Sequence, residues 1–251
     1  MALFKSGNPA LSEKTFAAVP QALVDDDVMT LQGTVNRAAV LLAVLALAGL
    51  YTWTRFTSTG EIGSLLPFLL VGVFGGLIVG LVIVLKKTTA PYLAIVYAVL
   101  EGLVLGALSA VTDAEYPGLA FEAFLLTMGI FGVLLLVYTL RIIRPSQNFR
   151  LIVASATGGI AVFYLISLGM SFFGLRAPLI YDTSWLGIGF SLVVVVIAAL
   201  NLVVDFDFIE QGAANRLPRY MEWYAAFGLL VTLVWLYIEL LRLLTKLSSR
   251  R

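Results

Sequence analysis

Cysteine and histidine are both absent from this chain. Without cysteine there are no disulfides, thiol nucleophiles or iron–sulfur ligands. Without histidine there are no imidazole metal sites and no histidine general bases. A pH response near neutrality must therefore come from carboxylates in perturbing surroundings. Charge is scarce as well: 12% of the 251 residues are Asp, Glu, Lys or Arg, against 61% hydrophobic, and mean hydropathy is +1.00. A soluble domain carries about 25% charged residues. Water is thus not the main solvent, and the sequence reads as an integral membrane protein whose first partner is the lipid bilayer. Basic and acidic residues, 16 against 15, nearly cancel, so no basic excess attracts nucleic acid.

Enzyme motifs are missing too. There is no G-x-S-x-G, no H-E-x-x-H and no phosphate-binding loop. An intramembrane aspartyl protease needs two opposed aspartates. Tyr181-Asp182 matches one half, in an expected loop, but GIGF at 187–190 lacks the other. The expectation is a non-enzyme with no resident cofactor, and at most transient Ca²⁺.

What is present is a series of apolar runs. A spanning helix needs about 20 mostly apolar residues, and seven windows qualify: 36–54, 63–85, 91–111, 119–140, 150–174, 184–208 and 219–245. The fold class is therefore all-α, a seven-helix membrane domain over 36–247. A polar tail (1–35) precedes it and a basic tail (248–251) follows. The tail carries the acidic run Asp25-Asp26-Asp27, read as solvated, and no cleavable signal peptide is expected. Continuous rather than alternating apolar runs argue against a β-barrel.

Orientation follows the Lys/Arg bias of short loops. With the N-terminus cytoplasmic, ten basic residues fall inside and two, Arg55 and Arg176, outside. Arg242, Lys246, Arg250 and Arg251 break the pattern. Either the last helix spans against the rule or it is re-entrant; seven spans are preferred. Gly72, Gly76 and Gly80, and likewise Gly102 and Gly106, recur every fourth residue, which suits close helix packing within the bundle.

Ionisable groups inside a span cost about 2.5–3.5 kcal/mol each on insertion scales and are functional candidates by default. Glu101 lies in the middle of the third window with no cation beside it in sequence. NLVVDFDFIEQG (201–212) ends the sixth window with Asp205, Asp207 and Glu210. Asn201, Asp205 and Ile209 share one helical face, because residues four apart stack. Asp205 is expected to face the bundle, and Asp207 and Glu210 to meet water at the helix end. The negative end of the helix dipole disfavours carboxylates there, which implies a compensating cation or proton. Glu239, three residues before Arg242, suits an intrahelical pair. Glu222, near Arg219, suits a helix start.

These residues carry a resemblance. EGLVLGALSA (101–110) resembles the Glu-Gly motif of the Bax inhibitor family, the transmembrane Bax inhibitor motif proteins. VDFDFIEQG (204–212) resembles the aspartate-bearing end of that family's sixth helix. SGNPALSEKTF, MTLQGTVNRAAVLL and MEWYAAFGLLVTLVWLYIELLRLL are similar to its bacterial branch. The likeness covers nearly the whole chain.

The resemblance implies a bundle with the last helix central and wrapped by the other six, in a bacterial inner membrane. It implies a pH-sensitive calcium leak associated with suppression of cell death, or interaction with a membrane-bound AAA protease. It also implies an aspartate pair on helices six and seven that shares a proton and gates the pore. By position Asp205 matches the first aspartate, but the second falls at Thr232, which cannot ionise. The arginine that the family places on helix two is missing from 63–85. The expected function is thus a cation leak, calcium by preference, gated by a membrane-embedded carboxylate. The alternative is a non-conducting membrane regulator. The ion-pathway candidates are Asp205, Glu101, Asp207, Asn201 and Thr232, with Glu239 and Glu210 secondary. Asp205 and Glu101 are the candidate metal oxygens.

Overall fold

In the computed structural model, residues 27–143, 145–175 and 178–250 are described. The tail over 1–26, with Asp25 and Asp26, lies outside them, as do Arg144, Arg176 and Arg251. Seven long helices follow in order: α1 (Leu31–Thr59), α2 (Leu66–Leu85), α3 (Ala90–Glu115), α4 (Leu119–Thr139), α5 (Gln147–Phe172), α6 (Trp185–Ala214) and α7 (Tyr220–Ser248). With the 3₁₀ turns that precede α2 and α3, each is long and apolar enough to cross a membrane.

Local chemistry sets the boundaries. Thr30 caps α1 by accepting from the Gly33 amide, which starts the helix at Leu31 rather than at Asn36. Gly60, at φ 66°, ends it. Ser146 and Ser184 cap α5 and α6 in the same way. The sixth helix runs six residues past the expected 208. Asp205 therefore sits nine residues before its end, more than two turns, where the dipole has faded. The local penalty expected from the helix terminus does not act on it.

Helix α7 packs against α1, α3, α4 and α6, while α2 packs mainly on α3 and α5 on α6. Most of α7 is buried, whereas little of α2, α4 and α5 is. The last helix is thus central and α2 and α5 are peripheral. It is continuous and antiparallel to α6, and near its end Lys246 reaches Gly187 in the first turn of α6. The seventh segment crosses the bundle and does not re-enter. The ends of the bundle are called here the entry end, where the chain enters α1, and the far end, where α7 finishes.

Both glycine stripes serve internal packing. A Cβ at Gly72 would meet Val104 and the Leu100 carbonyl of α3, and one at Gly80 would meet the Tyr97 ring. On its other face, α3 presents Gly102 to Leu45 and Gly106 to the Gly49 carbonyl and Thr52 of α1. The two stripes bring α2 and α1 against opposite sides of α3.

Candidate functional site

The three carboxylates of NLVVDFDFIEQG go to three different places. Asp205 is fully buried on α6, in line with buried Asn201 and Ile209. The Asn201 amide donates to Thr157 Oγ1 of α5 (2.8 Å) and to the Ile197 carbonyl (2.8 Å). Asp207 points towards α5, where it pairs with Arg150 (2.8 Å), and it accepts from Gln211 on its own helix (2.7 Å). Glu210 points towards α4, pairing with Arg141 (2.6 Å) and accepting from the Tyr138 hydroxyl. The expectation that Asp207 and Glu210 simply meet water is therefore corrected: each is paired with a cation, Asp207 from α5 and Glu210 from the end of α4. The Asp207–Arg150 pair is well shielded, with side-chain exposures of 15% and 11%.

Depth along the bundle groups the candidates differently. At about 1.5 Å per residue, Asp205 lies ~13 Å from the entry end of α6, Glu101 ~16 Å from that of α3, and Thr232 ~18 Å from that of α7. These three occupy the middle of the bundle. Asp207 and Glu210 lie nearer the entry end, and Glu239 lies on the far side of the middle, ~13 Å from the far end of α7. Thr232 is buried, its hydroxyl donating to the Gly228 carbonyl. Glu101 is half-buried, hydrogen-bonded to Tyr97 one turn earlier. Its carboxylate fills the space that a Gly76 side chain would take. Tyr97 in turn stands edge-on to Phe227 of α7, centroids 4.8 Å apart. Among the described residues no three acidic side chains converge into a metal site. The structure therefore does not gather Asp205 and Glu101 with a third carboxylate around one ion.

Glu239 has more than its intrahelical partner. It is buried, pairs with Arg242 (2.8 Å) and accepts from Tyr164 of α5 (2.9 Å). Arg242 also donates to the Tyr164 hydroxyl (2.7 Å), which closes a three-membered ring. Glu222 does not use Arg219. It pairs with Arg37 of α1 and accepts from the Thr30 amide (2.8 Å) and hydroxyl (2.9 Å). Gly33 leaves the space that the Glu222 carboxylate occupies, and the Arg37 guanidinium lies 5.4 Å from the Trp223 ring centroid.

Sequence reasoning missed Arg150, Tyr138, Tyr164 and Lys246. Lys246, one of the four C-terminal cations that break the loop bias, is buried. Its ammonium spends its three donors on the Leu179 and Gly187 carbonyls and Ser191 Oγ, each at 2.9 Å. Asp182, in the nearby loop, has its carboxyl held below the usual range by the hydrogen bonds of Ser184. The signal for Arg150 was its place just inside a span. Nothing in the sequence named its partner.

Comparison with curated proteins and with solved structures finds no match. The model of the family described as Bax inhibitor 1 like matches residues 8–249, nearly the whole chain. The match spans all seven helices, the Glu101 motif and the acidic end of α6, and the chain belongs to the Bax inhibitor 1-like family.

Proposed function

We propose that this membrane protein is a pH-sensitive leak pathway for cations, calcium by preference, and that it works without enzymatic chemistry or a resident cofactor. The observation that carries the reading is the complete burial of Asp205 in α6, a helix that packs on the central α7. A carboxyl in that place changes the charge inside the bundle when it gains or loses a proton. Ionised, it holds the neighbouring helix or a passing cation. Protonated, it lets go. Glu101, at similar depth, offers a second hard oxygen of the kind calcium prefers. With Thr232 in place of a second aspartate, the latch rests on one carboxyl rather than a proton-sharing pair. The arginine that helix two lacks has a partial counterpart in Arg150, directed at Asp207.

The test is flux into liposomes containing a trapped calcium dye. Flux is expected to rise as the pH falls. Asp205→Asn, which mimics the protonated state, should flux at all pH values with a flattened profile, and Glu101→Gln should flux less. If both variants match the parent at every pH, the reading is wrong.

A second reading, a regulator of another membrane protein such as a quality-control protease, gains support from the entry end. Residues 27–30 are clasped to the α6–α7 loop through the Val28–Pro218 bridge and Glu222, so a partner holding the preceding tail would pull on α7. Removing residues 1–26 should then abolish the effect in cells while leaving flux intact.

A further inference from the structure

A cavity of about 600 Å³ opens in the flank of the bundle. Its walls come from α1 (Leu42, Ala46, Trp53) and α4 (Phe121, Phe124), and its floor from α3 and α7. It follows α1 from residue 42 to residue 53, ~16 Å at 1.5 Å per residue. It thus runs from the middle of the bundle towards the far end, about half of a hydrocarbon core ~30 Å thick. The rim is apolar and outward-facing: Leu50, Phe121 and Phe124 are 58%, 63% and 47% exposed.

The polar groups in the cavity are already committed. Ser109 Oγ and the Tyr237 hydroxyl bond to each other (2.6 Å), Ser109 Oγ also donates to the Leu105 carbonyl, and Thr127 donates to the Ala123 carbonyl (2.7 Å). A stable water needs two to four polar partners, and the lining offers few. A helix of a second protein does not fit. At 10–12 Å across and 16 Å long it occupies roughly 1,300–1,800 Å³, at least twice the cavity of about 600 Å³. An empty slot open to hydrocarbon would forfeit the dispersion contacts of its whole lining. One occupant matches the volume, the apolar lining, the lateral mouth and the half-membrane length together.

We propose that this crevice is a binding site for one acyl chain of a bilayer phospholipid, drawn sideways from the leaflet at the far end, with its tip near Leu42. There the chain lies against Leu233, Val234 and Tyr237 of α7, so it bears directly on the central helix.

Trp53 in the wall supplies the probe. A protein keeping Trp53 alone (Trp185, Trp223 and Trp235 each replaced by Phe) is placed in nanodiscs of phosphatidylcholine brominated at mid-chain, whose bromines quench indole fluorescence on contact. The same background carrying Ala46→Phe has the crevice filled; Ala46→Leu is the milder filler should the Phe variant fail to reconstitute. The expected result is at least twofold stronger quenching in the open crevice than in the filled one. Mass spectrometry of the gently extracted protein should find one phospholipid per chain that the filled variant lacks. Equal quenching in both would overturn the proposal. So would stronger quenching of Trp53 by aqueous acrylamide than by the brominated lipid, or quenching by brominated fatty acid but not by brominated phospholipid.

Discussion

The Arg37–Glu222 pair ties α1 to α7 at the entry end, and its energetics follow from its burial. The Glu222 side chain is 2% exposed and that of Arg37 18%. Breaking a buried pair by removing one partner costs about 3–5 kcal/mol, because an uncompensated charge remains. Arg37 is the better placed to survive alone. It keeps its bond to the Gly33 carbonyl (3.0 Å) and the face of Trp223. Glu222→Ala should therefore cost about 2–3 kcal/mol, below the full range. Glu222→Gln keeps an acceptor for Thr30 and should cost about 1–2 kcal/mol, the charge-assisted share of those bonds. Arg37→Gln strands a carboxylate that is almost wholly buried and should cost about 3 kcal/mol. Because the partners touch, the double Gln variant should be less damaged than the sum, with a coupling of about 1.5–2 kcal/mol. The assay is reversible unfolding in mixed micelles, followed by circular dichroism as denaturing detergent is added. Burial also predicts little change in that coupling with added salt. A coupling below about 0.5 kcal/mol, or one that salt removes, would refute the claim that this pair clamps the helices.

Arg150→Ala should destabilise by about 2–4 kcal/mol, since it strands Asp207 behind a shielded contact; adding Asp207→Asn should restore much of the loss in the same unfolding assay. Gly106→Ala drives a methyl into the Gly49 backbone and Thr52 and should cost more than about 2 kcal/mol. Gly158→Ala, with open space around its Cβ, should be neutral or stabilise by up to about 1 kcal/mol through helix propensity. Cysteines at Ser249 and Asn215, each introduced singly into the cysteine-free chain, should be labelled by a membrane-impermeant maleimide from opposite sides. Labelling from the same side would refute seven crossings.

The apolar runs by themselves determined the number of spans, because in a bilayer the backbone has few choices and a long apolar segment must become a helix. The four-residue glycine spacing likewise announced close packing, and the face shared by Asn201, Asp205 and Ile209 followed from helical geometry alone. The precise ends did not follow. The Thr30 cap and the extension of α6 to Ala214 depend on single hydrogen bonds and on packing at the entry end, which hydropathy does not encode.

What only the tertiary structure decided was the fate of each charge. Asp207 and Glu210 looked alike in sequence, yet one meets Arg150 from α5 and the other Arg141 and Tyr138 from α4. Glu222 pairs with a residue 185 positions away rather than with its neighbour in the next turn. Lys246 carries a charge that hydropathy assigns to water, yet it is enclosed because two backbone carbonyls and a hydroxyl converge on it. Spacing along a chain reports which side chains share a face. Which partner stands opposite that face depends on how distant helices pack, and that is settled only when the whole bundle closes.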